Sequence, residues 1–160
     1  MNVNDSEIIS SQLEDLGFQE TPIISQANII ILNTCCVRKK VEDKIYSMAG
    51  IVSLIKKENP EVIFGICGCL AQKETIKIKS KVPSVDIVLG PSQVPFFKII
   101  LNSYILDKEK NTIVNCNNKA PFCLKNTAIK NHNSISAFVQ IMKGCNNFCS
   151  YCIVPFTRGP

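Results

Sequence analysis

The chain has 160 residues, 46% of them hydrophobic and 19% charged, the size and balance of one globular domain. This composition excludes a disordered, collagen-like or polyelectrolyte chain, and no apolar run approaches the roughly 20 residues of a membrane span. The net charge is +5, yet residues 1–30 hold five acids (Asp5, Glu7, Glu14, Asp15, Glu20) and no Lys or Arg, so the remainder carries +10. A basic remainder suits a polyanion such as RNA, and equally a solvated lysine-rich surface. The opening Met1-Asn2-Val3-Asn4-Asp5-Ser6-Glu7 has neither a basic nor an apolar leader pattern, so the expectation is a cytoplasmic protein away from membranes.

Residues 5–17 read as a helix, capped by Asp5 or Ser6 and stopped by Gly17, with Ile8, Ile9, Leu13 and Leu16 on one face. Ala27 to Leu32 is a short β-branched apolar run, suited to a strand buried on both faces. A long helix follows over about 37–58, where Val37, Val41, Ile45, Met48, Val52 and Ile55 recur at helical spacing before Pro60. Glu61–Cys67 reads as a second buried strand, Ala71–Lys81 as a short helix and Val85–Leu89 as a third strand. Residues 92–106 read as another helix, with Val94, Phe97, Leu101 and Tyr104 inward.

Alternating strands and helices predict an α/β fold with a doubly wound parallel sheet over 1–106. Such a unit ordinarily opens with a strand, so the first strand is expected to be missing. Residues 107–134 are rich in Asn and Lys and read as a linker with one strand near Thr112–Val114. Ser134–Met142 reads as a new strand that opens a second unit over 135–160.

Nine cysteines without a secretory pattern argue for metal or redox chemistry rather than a disulfide framework. Cys145, Cys149 and Cys152 form a CxxxCxxC run. Three thiolates cannot close a structural zinc site, which takes four, but they suit a four-iron four-sulfur (4Fe–4S) cluster with one iron left open. A zinc site completed by a distant cysteine, or plain buried cysteines, remain alternatives. Asn33-Thr34-Cys35 follows the first strand and Gly68-Cys69-Leu70-Ala71-Gln72 the second. Loops at the carboxyl ends of parallel strands face one crevice, so Cys35 and Cys69 are expected to share a site. Cys36 and Cys67 read as small buried hydrophobes, Cys116 and Cys123 as free thiols, and His132 as solvated.

The CxxxCxxC run, within Gln140-Ile141-Met142-Lys143-Gly144 through Ile153-Val154-Pro155-Phe156-Thr157-Arg158-Gly159, resembles the radical S-adenosylmethionine (SAM) methylthiotransferases. These enzymes attach a methylthio group to tRNA or to a ribosomal protein. The resemblance implies that Cys145, Cys149 and Cys152 hold a 4Fe–4S cluster whose open iron binds SAM, and that 135–160 begin a (β/α) barrel. It also implies an auxiliary 4Fe–4S cluster on Cys35, Cys69 and a third cysteine that this chain lacks, with Phe148 and Tyr151 flanking the radical site. Cys36-Val37-Arg38-Lys39-Lys40-Val41-Glu42-Asp43-Lys44 is similar to the MiaB-type branch, which acts on N6-isopentenyladenosine in tRNA at carbon 2, next to the anticodon. The implied partners are tRNA and an electron donor, with Arg38, Lys39, Lys40 and Lys44 near the RNA backbone. Taken as 160 residues, the chain is expected to be an inactive fragment. The alternatives are a methylthiotransferase acting on threonylcarbamoyl adenosine or on a ribosomal protein, and a non-catalytic iron–sulfur or zinc-binding module.

Overall fold

The structure, a computed structural model, describes residues 2–36, 39–117 and 140–159. Its elements are α1 (Asn2–Glu14), β1 (Ile29–Thr34), α2 (Lys39–Glu58), β2 (Ile63–Gly68), α3 (Cys69–Lys73), α4 (Thr75–Lys81), β3 (Ile87–Leu89), α5 (Phe97–Leu106), β4 (Ile113–Asn115) and α6 (Val154–Arg158). The four strands form one parallel sheet in the order β1-β2-β3-β4. Among the described residues no helix is long and apolar enough to cross a membrane.

Strand alternation sorts the core into two layers. Ile30, Leu32, Phe64, Ile66 and Val88 face α2, α3 and α4, where Ala49, Val52, Leu70 and Ile78 meet them. Ile29, Ile31, Ile63, Cys67, Ile87 and Leu89 face α1 and α5, against Ile8, Ile9, Phe97 and Leu101. Helices on both faces of a parallel sheet are the α/β arrangement expected from the alternating pattern. Fully buried residues such as Phe64 and Leu101 each contribute about 1.5–3 kcal/mol relative to exposure.

Several boundaries differ from the sequence reading. The first helix starts at Asn2, so Asp5 and Ser6 lie inside it rather than capping it, and the Ser6 hydroxyl donates to the Asn2 carbonyl at 3.1 Å. The helix expected over 71–81 is two helices, α3 and α4, broken where Glu74 takes φ −122° and ψ 33°. Pro91 and Pro95 hold residues 91–96 as a 3-10 helix, and the α-helix begins only at Phe97. Val94, Phe97, Leu101 and Tyr104 are nonetheless all buried, as their spacing predicts. The strand expected near 112–114 lies at Ile113–Asn115 and is the fourth strand of the sheet, parallel to β3. Residues 140–142 carry no strand, while 134–139 lie outside the described residues.

Asp86 holds both layers together at the amino end of β3. Its carboxylate accepts from the Phe64 amide at 2.7 Å and from the Tyr104 hydroxyl at 2.6 Å, and it pairs with Lys56. Lys56 comes from α2 on one face and Tyr104 from α5 on the other. Burial and the neighbouring carboxylate raise the Tyr104 pKa, so the phenol remains a donor at any physiological pH. We predict that Asp86→Ala costs about 3–5 kcal/mol, because a lysine charge and two other donors lose their acceptor at once. Tyr104→Phe should cost about 1 kcal/mol. Urea unfolding midpoints of the two variants give the comparison.

Candidate functional site

The carboxyl ends of the strands deliver Cys35 and Cys36 after β1, Cys69 after β2 and Cys116 after β4 to one edge of the sheet. Gly68 makes the turn from β2 into α3 possible. It takes φ +98°, and a Cβ there would lie 2.3 Å from the Thr34 carbonyl oxygen and 2.8 Å from Asn33 Oδ1. No side chain fits that space. The Thr34 hydroxyl donates to the Cys67 carbonyl at 2.5 Å, which locks the ends of β1 and β2 side by side. The Asn33 amide donates to the Asn2 carbonyl at 2.7 Å and to Ser6 Oγ at 2.8 Å, bringing the start of α1 to the same edge.

Cys69 lies at the centre of this edge. It is 7% exposed, with Cys36, Arg158 and Thr157 as its polar neighbours. The Cys36 hydrogen bond first, and then the Arg158 charge, pull the Cys69 pKa below the ordinary thiol value in spite of its burial. The same contact and burial hold Cys36 in its protonated form. Cys36, read from sequence as a small hydrophobe, is buried among apolar residues, but it is also the direct partner of Cys69. Cys35 is half-buried beside them. Cys67 is 1% exposed and faces the α1–α5 layer, where burial raises its pKa, as befits a structural thiol.

The CxxxCxxC loop turns back on itself. The Cys152 amide bonds the Cys149 carbonyl at 2.9 Å, the Cys145 amide bonds the Gly159 carbonyl at 3.1 Å, and Phe148 adopts φ +44°. Cys145, Cys149 and Cys152 are half-buried free thiols, while Phe148 and Tyr151 are exposed. Phe148 stacks edge-on against Phe156, with ring centroids 6.2 Å apart, and Tyr151 is 90% exposed. Among the described residues no three Cys, His, Asp or Glu side chains gather closely enough to hold a metal ion. The donor chemistry still fits a cluster, since three soft thiols lie within eight residues of one polar loop and none is in a disulfide. At the other site Cys35 and Cys69 supply two soft donors, and Asn33 Oδ1 beside them is buried without a partner among the described residues.

The two cysteine sets meet through α6. Arg158 is 4% exposed, and its guanidinium reaches Asp5 Oδ2 at 2.7 Å and Asn2 Oδ1 at 2.8 Å. Lys143 lies in the field of the same pair, and burial lowers its pKa. Sequence reasoning did not pair Asp5, read as a helix cap, with Arg158, because 153 positions separate them and no local pattern joins them. Cys116, placed by sequence in a linker, packs on α3. Its thiol points to the Ala71 carbonyl at 3.4 Å, and its own carbonyl accepts from the Gln72 amide at 2.7 Å. Cys123, His132 and Arg38 lie outside the described residues. Lys40 and Lys44 are exposed on α2.

A parallel α/β sheet whose strand-end loops carry unpaired thiols defines an α/β protein with a cysteine-based site. Residues 1–90 match the model of the Uncharacterized protein family UPF0004, and the chain belongs to that family. It is also 38% identical over 161 aligned residues to proteins of Staphylococcus aureus strains JH9, Newman and COL, each named tRNA-2-methylthio-N(6)-dimethylallyladenosine synthase. The alignments cover 99% of this chain and 31% of each relative. The chain thus spans about a third of the length of the curated relatives it matches.

Two outcomes follow from this geometry. Gly68→Ala should cost about 2–4 kcal/mol in urea unfolding, because positive φ and backbone overlap are imposed together. The second concerns alkylation, which needs the thiolate. In the metal-free chain the pH midpoint for labelling Cys69 with iodoacetamide should fall below the roughly 8.5 of a free thiol. Cys36→Ala should move that midpoint upward, since it removes the strongest stabiliser of the thiolate. Residue-resolved mass spectrometry across a pH series reads both midpoints.

Proposed function

We propose that this chain is the cysteine-bearing part of a radical-SAM tRNA methylthiotransferase that adds a methylthio group to carbon 2 of N6-dimethylallyladenosine next to the anticodon. The observation that carries this reading is the meeting of two cysteine-bearing segments at one sheet edge, where α6 of the CxxxCxxC segment packs on α3, the helix that Cys69 opens, and Arg158 pairs with Asp5 of α1. The printed names of the relatives, over 99% of this chain, supply the substrate class. On this reading the protein works in the cytoplasm on tRNA, with SAM and an electron donor, and begins a (β/α) barrel after the 107–134 linker.

Cys145, Cys149 and Cys152 would hold one 4Fe–4S cluster, and Cys35 and Cys69 would hold the auxiliary one. When bound, the first supplies reductive cleavage of SAM and the second a route for sulfur. This chain's own residues shape the two cysteine-bearing loops. The Cys149–Cys152 turn wraps the loop, and Gly68 lets Cys69 emerge at the mouth of β2. Cys69 is shielded by burial while Cys149 and Cys152 stay accessible. Lys40 and Lys44, exposed on the helix that follows Cys35, would meet the phosphate backbone.

Anaerobic reconstitution of the 160-residue chain with iron and sulfide tests this reading. The chain should take up iron and sulfide and absorb broadly at roughly 400 nm, as thiolate-bound clusters do. Replacing Cys145, Cys149 and Cys152 together by Ala should remove most of that absorbance. Stoichiometric zinc with no iron uptake would instead establish a zinc module.

A further inference from the structure

We propose that the free side of β1 is a docking groove for an extended, basic polypeptide segment of another protein, which pairs with the backbone of β1 as a fifth strand and sets a lysine or arginine beside Glu14 and Glu20. β1 is the outermost strand of the sheet and is bonded to β2 alone. In a parallel ladder one residue turns both its backbone groups to a neighbouring strand, and the next residue turns both the other way. The Asn28 carbonyl accepts from the Ile63 amide at 2.9 Å, so Asn28, Ile30, Leu32 and Thr34 turn toward β2. Ile29, Ile31 and Asn33 turn away from it, and among the described residues their amides and carbonyls meet no partner. Such a row of free donors and acceptors is a template for a further strand.

The space beside that row is shaped for one. A groove of about 720 Å³ is lined by β1, α1 and the connection over 17–28. Ile30, which packs into one core layer, and Ile29 and Ile31, which pack into the other, all line it. The groove therefore follows the side of the strand and not one of its faces. Its α1 wall is apolar, made by Ile9, Leu13 and Phe18. Ser6, at one end, is tied to Asn33 at 2.8 Å. Glu14 lies two helical turns further on, about 12 Å away, and Glu20 follows the turn at Gly17. Both carboxylates are exposed, and no Lys or Arg is among the described lining residues.

These features define the occupant. Its backbone pairs with Ile29, Ile31 and Asn33, and its alternate side chains are apolar to meet Ile9, Leu13 and Phe18. The uncompensated acids at the end remote from Asn33 call for a cation there, and complementary charge at a rim chiefly speeds association and fixes orientation. A nucleic-acid strand does not fit, since its phosphates would face Glu14 and Glu20 with nothing to neutralise them. The groove is thus a protein-docking surface, independent of the cysteine site and of the lysines on α2.

The test uses the full 160-residue chain and an end-capped synthetic peptide, Lys-Val-Thr-Val-Thr-Val-Lys. On binding, the amides of Ile29, Ile31 and Asn33 should exchange with deuterium at least tenfold more slowly, while Ile30 and Leu32, already bonded to β2, change little. Two versions of the peptide, N-methylated at one or the other set of alternate residues, leave the protein untouched. One should lose more than tenfold in affinity and the other should bind as before, because only one edge of the peptide pairs. Glu14→Lys combined with Glu20→Lys, both at exposed positions, should weaken the lysine-ended peptide about fivefold and strengthen a glutamate-ended one. Absence of binding at millimolar peptide, equal binding of the two N-methylated versions, or affinity indifferent to the charge reversal overturns the proposal. So does exchange at Ile29 and Ile31 in the free chain that is already as slow as at Ile30. A dimer in sedimentation that slows the same three amides would make a second copy of the chain the occupant and overturn the basic segment.

Discussion

All four strands of the sheet point the same way, and the placement of every chemically active group follows from that. Parallel strands cannot be joined by hairpins, so each must be followed by a crossover that leaves from the carboxyl edge and returns at the amino edge. The residues immediately after β1, β2 and β4 consequently emerge together, and those residues are Cys35 and Cys36, Cys69, and Cys116. The amino edge carries no thiol among the described residues. What lies there is Asp86 with its structural partners. Chemistry and scaffolding are thus separated by strand polarity, the usual division in open α/β sheets.

Both edges are closed by a buried carboxylate that meets a cation, and the two pairs differ in what they join. Asp86 takes Lys56 from one helical layer and Tyr104 from the other, so it fastens the layers across the sheet. Asp5 takes Arg158 from far along the chain, so it fastens the cysteine loop to the first helix. Well-packed apolar residues could replace either pair with little loss of stability. What they could not replace is the definition of position: a buried guanidinium bonded to both Asp5 and Asn2 has one orientation, whereas an apolar contact tolerates several. At the edge that carries the thiols, that definition is what the site requires.

The sequence made the periodic parts legible. Val52 and Ile55 on α2, Leu101 and Tyr104 on α5, and the β-branched runs of β1 and β2 announce their burial through spacing alone, and the structure places them as read. Brief or aperiodic features were harder to read. β4 is three residues in an Asn- and Lys-rich stretch, and it becomes a strand because β3 offers an open edge rather than because its own pattern demands one. Glu74 breaks a helix that periodicity joined, its backbone leaving helical values at φ −122° and ψ 33°. The cysteine spacing named the candidate thiols, but not their neighbours. Asp5 read as a helix cap because a cap is a local signal, while its partner Arg158 lies 153 residues away. Contacts of that separation leave no trace in a single sequence.

Cys36 shows how the remaining ambiguity resolves physically. Adjacent residues at a strand end diverge, so of Cys35 and Cys36 only one can turn into the α2–α4 layer, and the structure sends Cys36 there against Cys69. Cys69 then stands between one neighbour from the loop after β1, Cys36, and two from α6, Thr157 and Arg158. The Thr157 hydroxyl is spent on the Ile153 carbonyl at 3.2 Å, and the Arg158 guanidinium on Asp5 and Asn2, so these two are held by their own elements. A thiol is a weaker donor and is itself a soft ligand once deprotonated, so Cys36 is bound to its place less firmly. The surroundings of Cys69 therefore divide into a half fixed by α6 and α1 and a half, on the loop after β1, that is freer to change its partner.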